Sequence, residues 1–313
     1  MNQESFHKNT PTVIATIIVT GVTGFLGSAL VRSLLANNYQ VIGIKRTTSD
    51  LSRIMKEIKH PHLHLVNIDQ IDPSEIFFKN RIDAIIHTAT EYGRRDTPIY
   101  KILQANLILP IRLAELGIKN GTQLFINTDS YFNKNNNSYS HLLNYSLSKK
   151  SLLTWLNQIS KKLKIINAVL EHIYGPYDST YKFTESLIQE IAIQKKSLIP
   201  LTHGHQKRDF IYLDDAVEAY LKILDYGLKN NFRFKQFEIG TGSSTEISEM
   251  AKIIKNISQS PSELGFGKLP YRSDEIMESV ADNQELVDLD WAPKVNLKDG
   301  ITKILKLYKI KAY

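Results

Sequence analysis

The sequence predicts an α/β fold, a doubly wound parallel sheet followed by a smaller C-terminal α/β domain. Three observations lead there. Apolar, β-branched runs alternate with helix-period segments as far as residue 170, the mark of parallel strands covered on both faces. A glycine-rich turn joins the first run to the first helix. After Tyr174-Gly175-Pro176 the pattern changes, mixing helices with short strands and glycine turns such as Gly240-Thr241-Gly242 and Gly265-Phe266-Gly267. The expected organisation is a polar tail over residues 1–12, a dinucleotide-type domain over 13–175 and a ligand-binding domain over 176–313.

In chain order, residues 13–20 (VIATIIVT) read as a buried strand and residues 25–36 as the helix after it. Residues 40–44 form a second strand and 49–59 a second helix. Further strands are expected at 62–66, 82–87, 123–127 and 164–170. Between them, the longest helical pattern runs over residues 99–116, just after Pro98, and another covers about 139–162. In such a sheet the ligand site lies outside the carboxyl ends of the strands. The residues that end each strand therefore matter most.

Composition narrows the chemistry. The chain has 313 residues, 42% hydrophobic and 23% charged, with a formal net charge of +7 and no cysteine. Disulfides, iron–sulfur clusters, thiolate zinc sites and a cysteine nucleophile are excluded, and no other metal site is expected. The cations are scattered in pairs (Lys45-Arg46, Arg94-Arg95, Lys149-Lys150) rather than gathered into one stripe, which fits a small anionic ligand and not a nucleic acid. Residues 1–12 lack the regions of a signal peptide, and the apolar run 13–19 is too short to span a bilayer. A soluble cytoplasmic protein is expected.

Chemistry gathers at the strand ends. Thr20-Gly21-Val22-Thr23-Gly24-Phe25-Leu26-Gly27 sits where the first strand becomes the first helix. Glycine lets the backbone approach a pyrophosphate, and the helix N-terminus offers unpaired N–H groups to the anion. Gly21, Gly24, Phe25, Leu26 and Gly27 are thus the expected dinucleotide cradle. The second strand ends in Lys45-Arg46, with no acidic residue for a ribose 2′-hydroxyl. A cationic pair there suits the 2′-phosphate of NADP, with NAD the less favoured cofactor. After the third strand come Ile68 and Asp69, the latter placed to meet the adenine amino group. Ala89 lies among small residues beside the cofactor path after the fourth.

Tyr145 and Lys149 lie four residues apart, on one face of a helix. An ammonium beside a phenol favours phenolate, so the pair can exchange a proton while a hydride moves. Thr128, in Asn127-Thr128-Asp129-Ser130 after the fifth strand, can hydrogen-bond the oxygen that Tyr145 protonates.

These motifs together resemble the extended short-chain dehydrogenase/reductase family, whose members are nucleotide-sugar epimerases, dehydratases and reductases on a Rossmann fold. The resemblance runs from Gly21 to about Pro293. It implies a triad of Thr128, Tyr145 and Lys149, and an Asn106 that helps hold the lysine beside the cofactor. His172 in His172-Ile173-Tyr174-Gly175-Pro176 stands where the family usually has Asn, at the nicotinamide. Arg208, in Arg208-Asp209-Phe210-Ile211-Tyr212, and Arg272, in Tyr271-Arg272-Ser273-Asp274-Glu275, match two arginines that hold the substrate diphosphate in relatives.

Family dehydratases carry Thr-Asp-Glu where this chain has Thr128-Asp129-Ser130, so the base for removing water is missing. Residues 126–134 and 171–178 look most similar to nucleotide-sugar 4-keto reductases of the CDP-abequose/paratose synthase type, which serve O-antigen sugar synthesis. The resemblance therefore implies NADPH-dependent reduction of a nucleotide-linked 4-keto (6-)deoxy sugar, CDP-linked by preference, with GDP or dTDP as other bases. A 4-epimerase is the enzymatic alternative and a non-catalytic dinucleotide sensor the other. Family members usually dimerise through the helices at 99–116 and 139–162, where Leu152, Leu153, Trp155 and Leu156 supply apolar surface.

Overall fold

The computed structural model describes residues 13–94, 96–134 and 140–309; the tail expected over 1–12 lies outside the described residues. The first half runs β1 (Thr16–Thr20), α1 (Phe25–Ala36), β2 (Gln40–Lys45), β3 (Leu63–Asn67), α2 (Ser74–Lys79) and β4 (Ala84–His87). It continues through α3 (Ile99–Leu103), a π-helical turn (Gln104–Ile108), α4 (Leu109–Lys119), β5 (Leu124–Ser130), α5 (Leu143–Ile159) and β6 (Lys164–Leu170). The second half adds β7 (His172–Tyr174), α6 (Phe183–Ile188), β8 (Leu198–Pro200), β9 (Lys207–Arg208), β10 (Phe210–Tyr212), α7 (Leu213–Lys229) and β11 (Phe234–Ile239). It closes with β12 (Thr245–Glu246), α8 (Ile247–Ser258), β13 (Glu263–Gly265), β14 (Glu278–Ser279), α9 (Gln284–Val287) and α10 (Leu297–Leu307).

Seven strands form one parallel sheet in the order β11-β6-β5-β4-β1-β2-β3. The doubly wound expectation is met, and the order reverses direction between β1 and β4, which opens a crevice at their carboxyl ends. One face carries α1 and α7 over Val19, Ile86, Ile126 and Ile166; the other carries α4 and α5 over Ile18, Ile85, Phe125 and Ile165. Strand alternation explains the division, since neighbouring residues of each strand feed opposite cores. A third core, around Tyr174, Ile188, Phe210, Met250 and Ile304, holds the C-terminal helices and short strands.

The sheet is not confined to residues before 175. Past that point α7 packs on the same face as α1, through Ala216, Tyr220 and Ile223, and β11 adds the edge strand beside β6. Residues 49–59 also depart from expectation. They form only a 3₁₀ turn at Ser52–Ile54 and successive three-residue turns, because Asp50 captures the backbone N–H and hydroxyl of Ser52. Among the described residues, no helix is long and apolar enough to cross a membrane.

Candidate active site

The turn after β1 is built only for glycine. Gly21 has a left-handed φ of +68°, and a Cβ there would lie 2.8 Å from the Ala89 backbone. At Gly27 a Cβ would fall 2.1 Å from the Gly21 carbonyl oxygen. The first turn of α1 therefore sits hard against the end of β1, and Ala89 closes the other side. Gly24 is the N-cap and gives α1 no side-chain cap, nor is there an acidic residue in its first turn. Its terminal N–H groups and positive dipole end thus face the crevice, the surroundings a pyrophosphate needs. Leu26 is buried and Phe25 lies against Gly175, so those two residues offer backbone to the crevice and side chains to packing.

Neighbouring strand ends are tied to one another. The Thr20 hydroxyl meets His87 Nδ1 at 2.8 Å and accepts from the backbone of Thr88 and Ala89. Lys45 Nζ donates to Asn67 at 2.5 Å, drawing the β2 and β3 ends together, while Arg46 stays exposed. The Asp69 carboxylate, expected at the adenine, accepts from both the backbone N–H and the hydroxyl of Thr47. The Thr47 backbone bond is the main reason that its carboxyl lies below the usual range. Ile68 is half-buried behind it.

Tyr145 and Lys149 both lie buried on the inner face of α5. Lys149 Nζ donates to the Thr128 carbonyl oxygen at 2.7 Å. Burial lowers its pKa to about 8 against the pull of the Asp129 carboxylate. Burial drives the Tyr145 phenol well above its ordinary value; the neighbouring Tyr92 and Asp129 push the same way, and Ser130 pulls it back by hydrogen bonding. The ammonium is drawn to the end of β5, and desolvation dominates the phenol.

Two further expected site residues have partners within the protein. The Thr128 hydroxyl faces α7, where it meets the Tyr220 hydroxyl at 2.7 Å; the β5 hydroxyl beside Tyr145 is that of Ser130. Asn106, read as a cofactor contact, is fully buried in the π-helical turn. Its amide donates to the Glu91 carbonyl and the Ser148 hydroxyl and accepts from the Glu91 N–H, at 2.8, 3.0 and 2.7 Å. These bonds all go to protein, and they fix the loop after β4 against α5.

His172 stands on β7 between Tyr131 and Phe210, with ring centroids 5.0 and 5.5 Å away. Burial, aided by Arg208, lowers its pKa to about 3, so the imidazole is neutral. The structure brings Arg208 and Arg272 together: Arg208 pairs with Glu275 at 2.6 Å, and Arg272 reaches the other oxygen of the same carboxylate at 3.6 Å. Arg208 is buried and Arg272 exposed. They form a buried and an exposed cation on one carboxylate.

A glycine cradle at the strand-order reversal, beside a buried Tyr–Lys pair at the end of β5, is an arrangement that comparison with known proteins can place. The model of the NAD dependent epimerase/dehydratase family matches residues 17–240. The chain belongs to that family. Similar curated proteins include CDP-abequose synthase of Salmonella muenchen, 37% identical over 93% of this chain and 97% of that protein. The CDP-abequose synthase of Salmonella typhimurium is 33% identical over 93% and 97%. Among solved structures, UDP-glucose 4-epimerase of Thermotoga maritima with UDP-glucose superposes with a TM-score of 0.79 at 23% identity, covering 94% of this chain and 98% of that one. UDP-glucuronic acid 4-epimerase of Bacillus cereus, in complex with UDP-glucuronic acid and NAD, gives 0.79 at 23%, covering 94% and 99%. The chain is thus an epimerase/dehydratase family enzyme of the oxidoreductase type, a family that works with a nicotinamide dinucleotide.

Within this family site, sequence reasoning passed over several residues. Tyr92 stacks on Tyr145 at 5.0 Å, and Lys182 donates to the Tyr92 hydroxyl at 2.8 Å. Tyr220 gave no signal, because its partner Thr128 lies 92 residues away. Ser130 could have been noticed as the second hydroxyl of its triplet.

Proposed function

We propose that this enzyme is an NADPH-dependent reductase of the 4-keto group of a nucleotide-linked deoxy sugar, CDP-linked by preference, serving cell-surface O-antigen polysaccharide. The observation that carries the reading is the protonated, buried Tyr145 held against β5 beside a charged Lys149. A proton donor must hold its proton at neutral pH, and the raised phenol does. The 37% identity to a CDP-abequose synthase supports the CDP-sugar assignment. Lys45 and Arg46, with Asp69 engaged by Thr47, favour a 2′-phosphate over a bare ribose hydroxyl.

When bound, a reduced nicotinamide would supply the hydride that the ketone carbon needs. Tyr145 gives its phenolic proton to the ketone oxygen, and the Lys149 ammonium stabilises the phenolate left behind. Ser130 shares the oxygen with Tyr145, while Thr128, locked to Tyr220, shapes the wall on the α7 side. The backbone at Gly21, Gly24, Phe25, Leu26 and Gly27 holds the pyrophosphate. Ile68 and Ala89 flank the path, and neutral His172 lines the nicotinamide end. Arg208 and Arg272 take the substrate diphosphate, with Glu275 holding them in register. Residues 176–313 act as the nucleotide-sugar half. Two copies pair through the exposed apolar face formed by Ile99, Tyr100, Leu103, Ile108, Leu147 and Trp155; Leu152 and Leu156 belong to the core instead.

Replacing Tyr145 by Phe tests the assignment. Turnover should fall by about 10²-fold or more, the scale of losing a positioned general acid, while NADPH affinity measured by fluorescence titration stays unchanged. Full activity in Tyr145→Phe would refute the role.

A further inference from the structure

Directly over Tyr145 lies a second phenol with its own lysine. The loop after β4 carries Tyr92, whose ring stacks on Tyr145 with centroids 5.0 Å apart and planes inclined by 28°. Lys182, just before α6, donates from Nζ to the Tyr92 oxygen at 2.8 Å, and the same nitrogen lies 4.3 Å from the ring centroid. The Arg94 guanidinium lies 5.2 Å from that centroid and is itself bonded to the Tyr181 carbonyl.

The arrangement is built rather than incidental. Asn106 bonds both the N–H and the C=O of Glu91, the residue before Tyr92. Its amide also bonds Ser148, whose hydroxyl donates to the Tyr145 carbonyl at 2.7 Å. One buried amide thus locks the Tyr92 loop to the helix of the catalytic pair. Gly93 takes a φ of +71°, and a Cβ there would lie 2.7 Å from Ile102, so the loop turns sharply beneath Tyr92.

Hydrogen-bond accounting then points outward. An ammonium has three donors and no acceptor, so the Tyr92 oxygen must accept from Lys182 and keep its own hydrogen for another partner. Among the described residues, the Tyr92 hydroxyl has Lys182 as its hydrogen-bond partner and no acceptor for that hydrogen. Burial alone would lower the Lys182 pKa, but Tyr92 and Asp178 bring it above the ordinary value, so the cation persists at neutral pH. A cation on the oxygen strengthens the phenol as a donor.

We propose that Tyr92, aimed and polarised by Lys182, is a substrate-binding donor that bonds a ring-substituent oxygen of the sugar next to the carbon served by Tyr145. The inference rests on the nucleotide-sugar reading of the site and adds a recognition element from outside the Thr128–Tyr145–Lys149 set. It joins the loop after β4 and the segment before α6 around one sugar oxygen, which makes that oxygen a determinant of specificity.

The test measures calorimetric binding of CDP-4-keto-6-deoxyglucose to the NADPH-loaded Tyr145→Phe protein, so the result does not depend on turnover. Adding Tyr92→Phe, which keeps the ring and removes only the hydroxyl, should weaken sugar binding about tenfold or more, the scale of a lost hydrogen bond to a polarised group. NADPH affinity should be unchanged. Lys182→Met should weaken binding by less, and combining it with Tyr92→Phe should add nothing further, because the lysine acts through the phenol. In the enzyme with Tyr145 intact, Tyr92→Phe should raise KM with kcat kept within about twofold. Unchanged sugar binding in Tyr92→Phe, or additive losses in the pair, would overturn the proposal. Absence of any sugar binding before Tyr92 is altered would refute the nucleotide-sugar reading, and this proposal with it.

Discussion

Lys149 holds its charge where water does not reach, and that decides the pH behaviour of the site. Burial places its pKa at about 8, below the ordinary lysine value, while the Tyr145 phenol is pushed up. As pH rises through about 8 the ammonium is lost first, with Tyr145 still protonated. The reductive kcat/KM should therefore fall above about pH 8 along a single-proton limb, readable from initial rates across pH 6–10. Lys149→Met should flatten that limb and lower the plateau; an unchanged limb would assign it to another group. The spacing of Tyr145 and Lys149 made the pair visible in the sequence. The phenol's upward shift was hidden, because it comes first from burial and then from Tyr92 and Asp129, which reach the site from other segments. Thr128 shows the same limit: a strand's alternation says that neighbouring side chains face opposite ways, but not that Tyr220 waits on one side.

At the scale of elements, local chemistry was read well wherever it acts alone. The helix Phe25–Ala36 and the strand Lys164–Leu170 lie where periodicity predicts them. The Gly21–Gly27 turn was legible because no other residue satisfies its backbone. Gly27→Ala puts a methyl group 2.1 Å from the Gly21 carbonyl oxygen, an overlap with rigid backbone. It should reduce dinucleotide affinity by about tenfold or more and cost about 1–3 kcal/mol of stability, checked by fluorescence titration and urea unfolding. Wild-type affinity in a folded Gly27→Ala protein would show that the turn is not the cradle. Elements shaped by partners were less legible. The segment 49–59 has helix-period residues, but the side chain of Asp50 competes for the backbone. The helical run after Pro98 swells into a π-helical turn at Gln104–Ile108, which carries the buried Asn106. Extra residues of this kind in a helix often mark sites where one side chain must be re-aimed.

Across the whole molecule, the two halves are less separate than composition suggests. The shift in pattern after Gly175 is real, yet α7 and β11 return to the first sheet, and Tyr220 on α7 reaches the end of β5. Long-range pairing of this sort leaves no local trace, since a parallel edge strand and a surface helix look alike in either half. Arg208 and Arg272 illustrate the gain from seeing both halves at once. Each alone reads as a surface cation, whereas Glu275 joins them through its two carboxylate oxygens. On the proposed reading, the glycine cradle would hold the dinucleotide while the Tyr145–Lys149 pair and this arginine pair would act on one nucleotide sugar. The central claim is net reduction at that site. Its most direct test is the ratio of NADPH oxidised to sugar converted, when purified protein is mixed with CDP-, GDP- and dTDP-4-keto-6-deoxy sugars and followed by nicotinamide absorbance. We predict one cofactor oxidised per sugar reduced, with the CDP series preferred and NADH less effective. Conversion of a sugar's configuration with no net loss of NADPH would contradict the account and establish an epimerase.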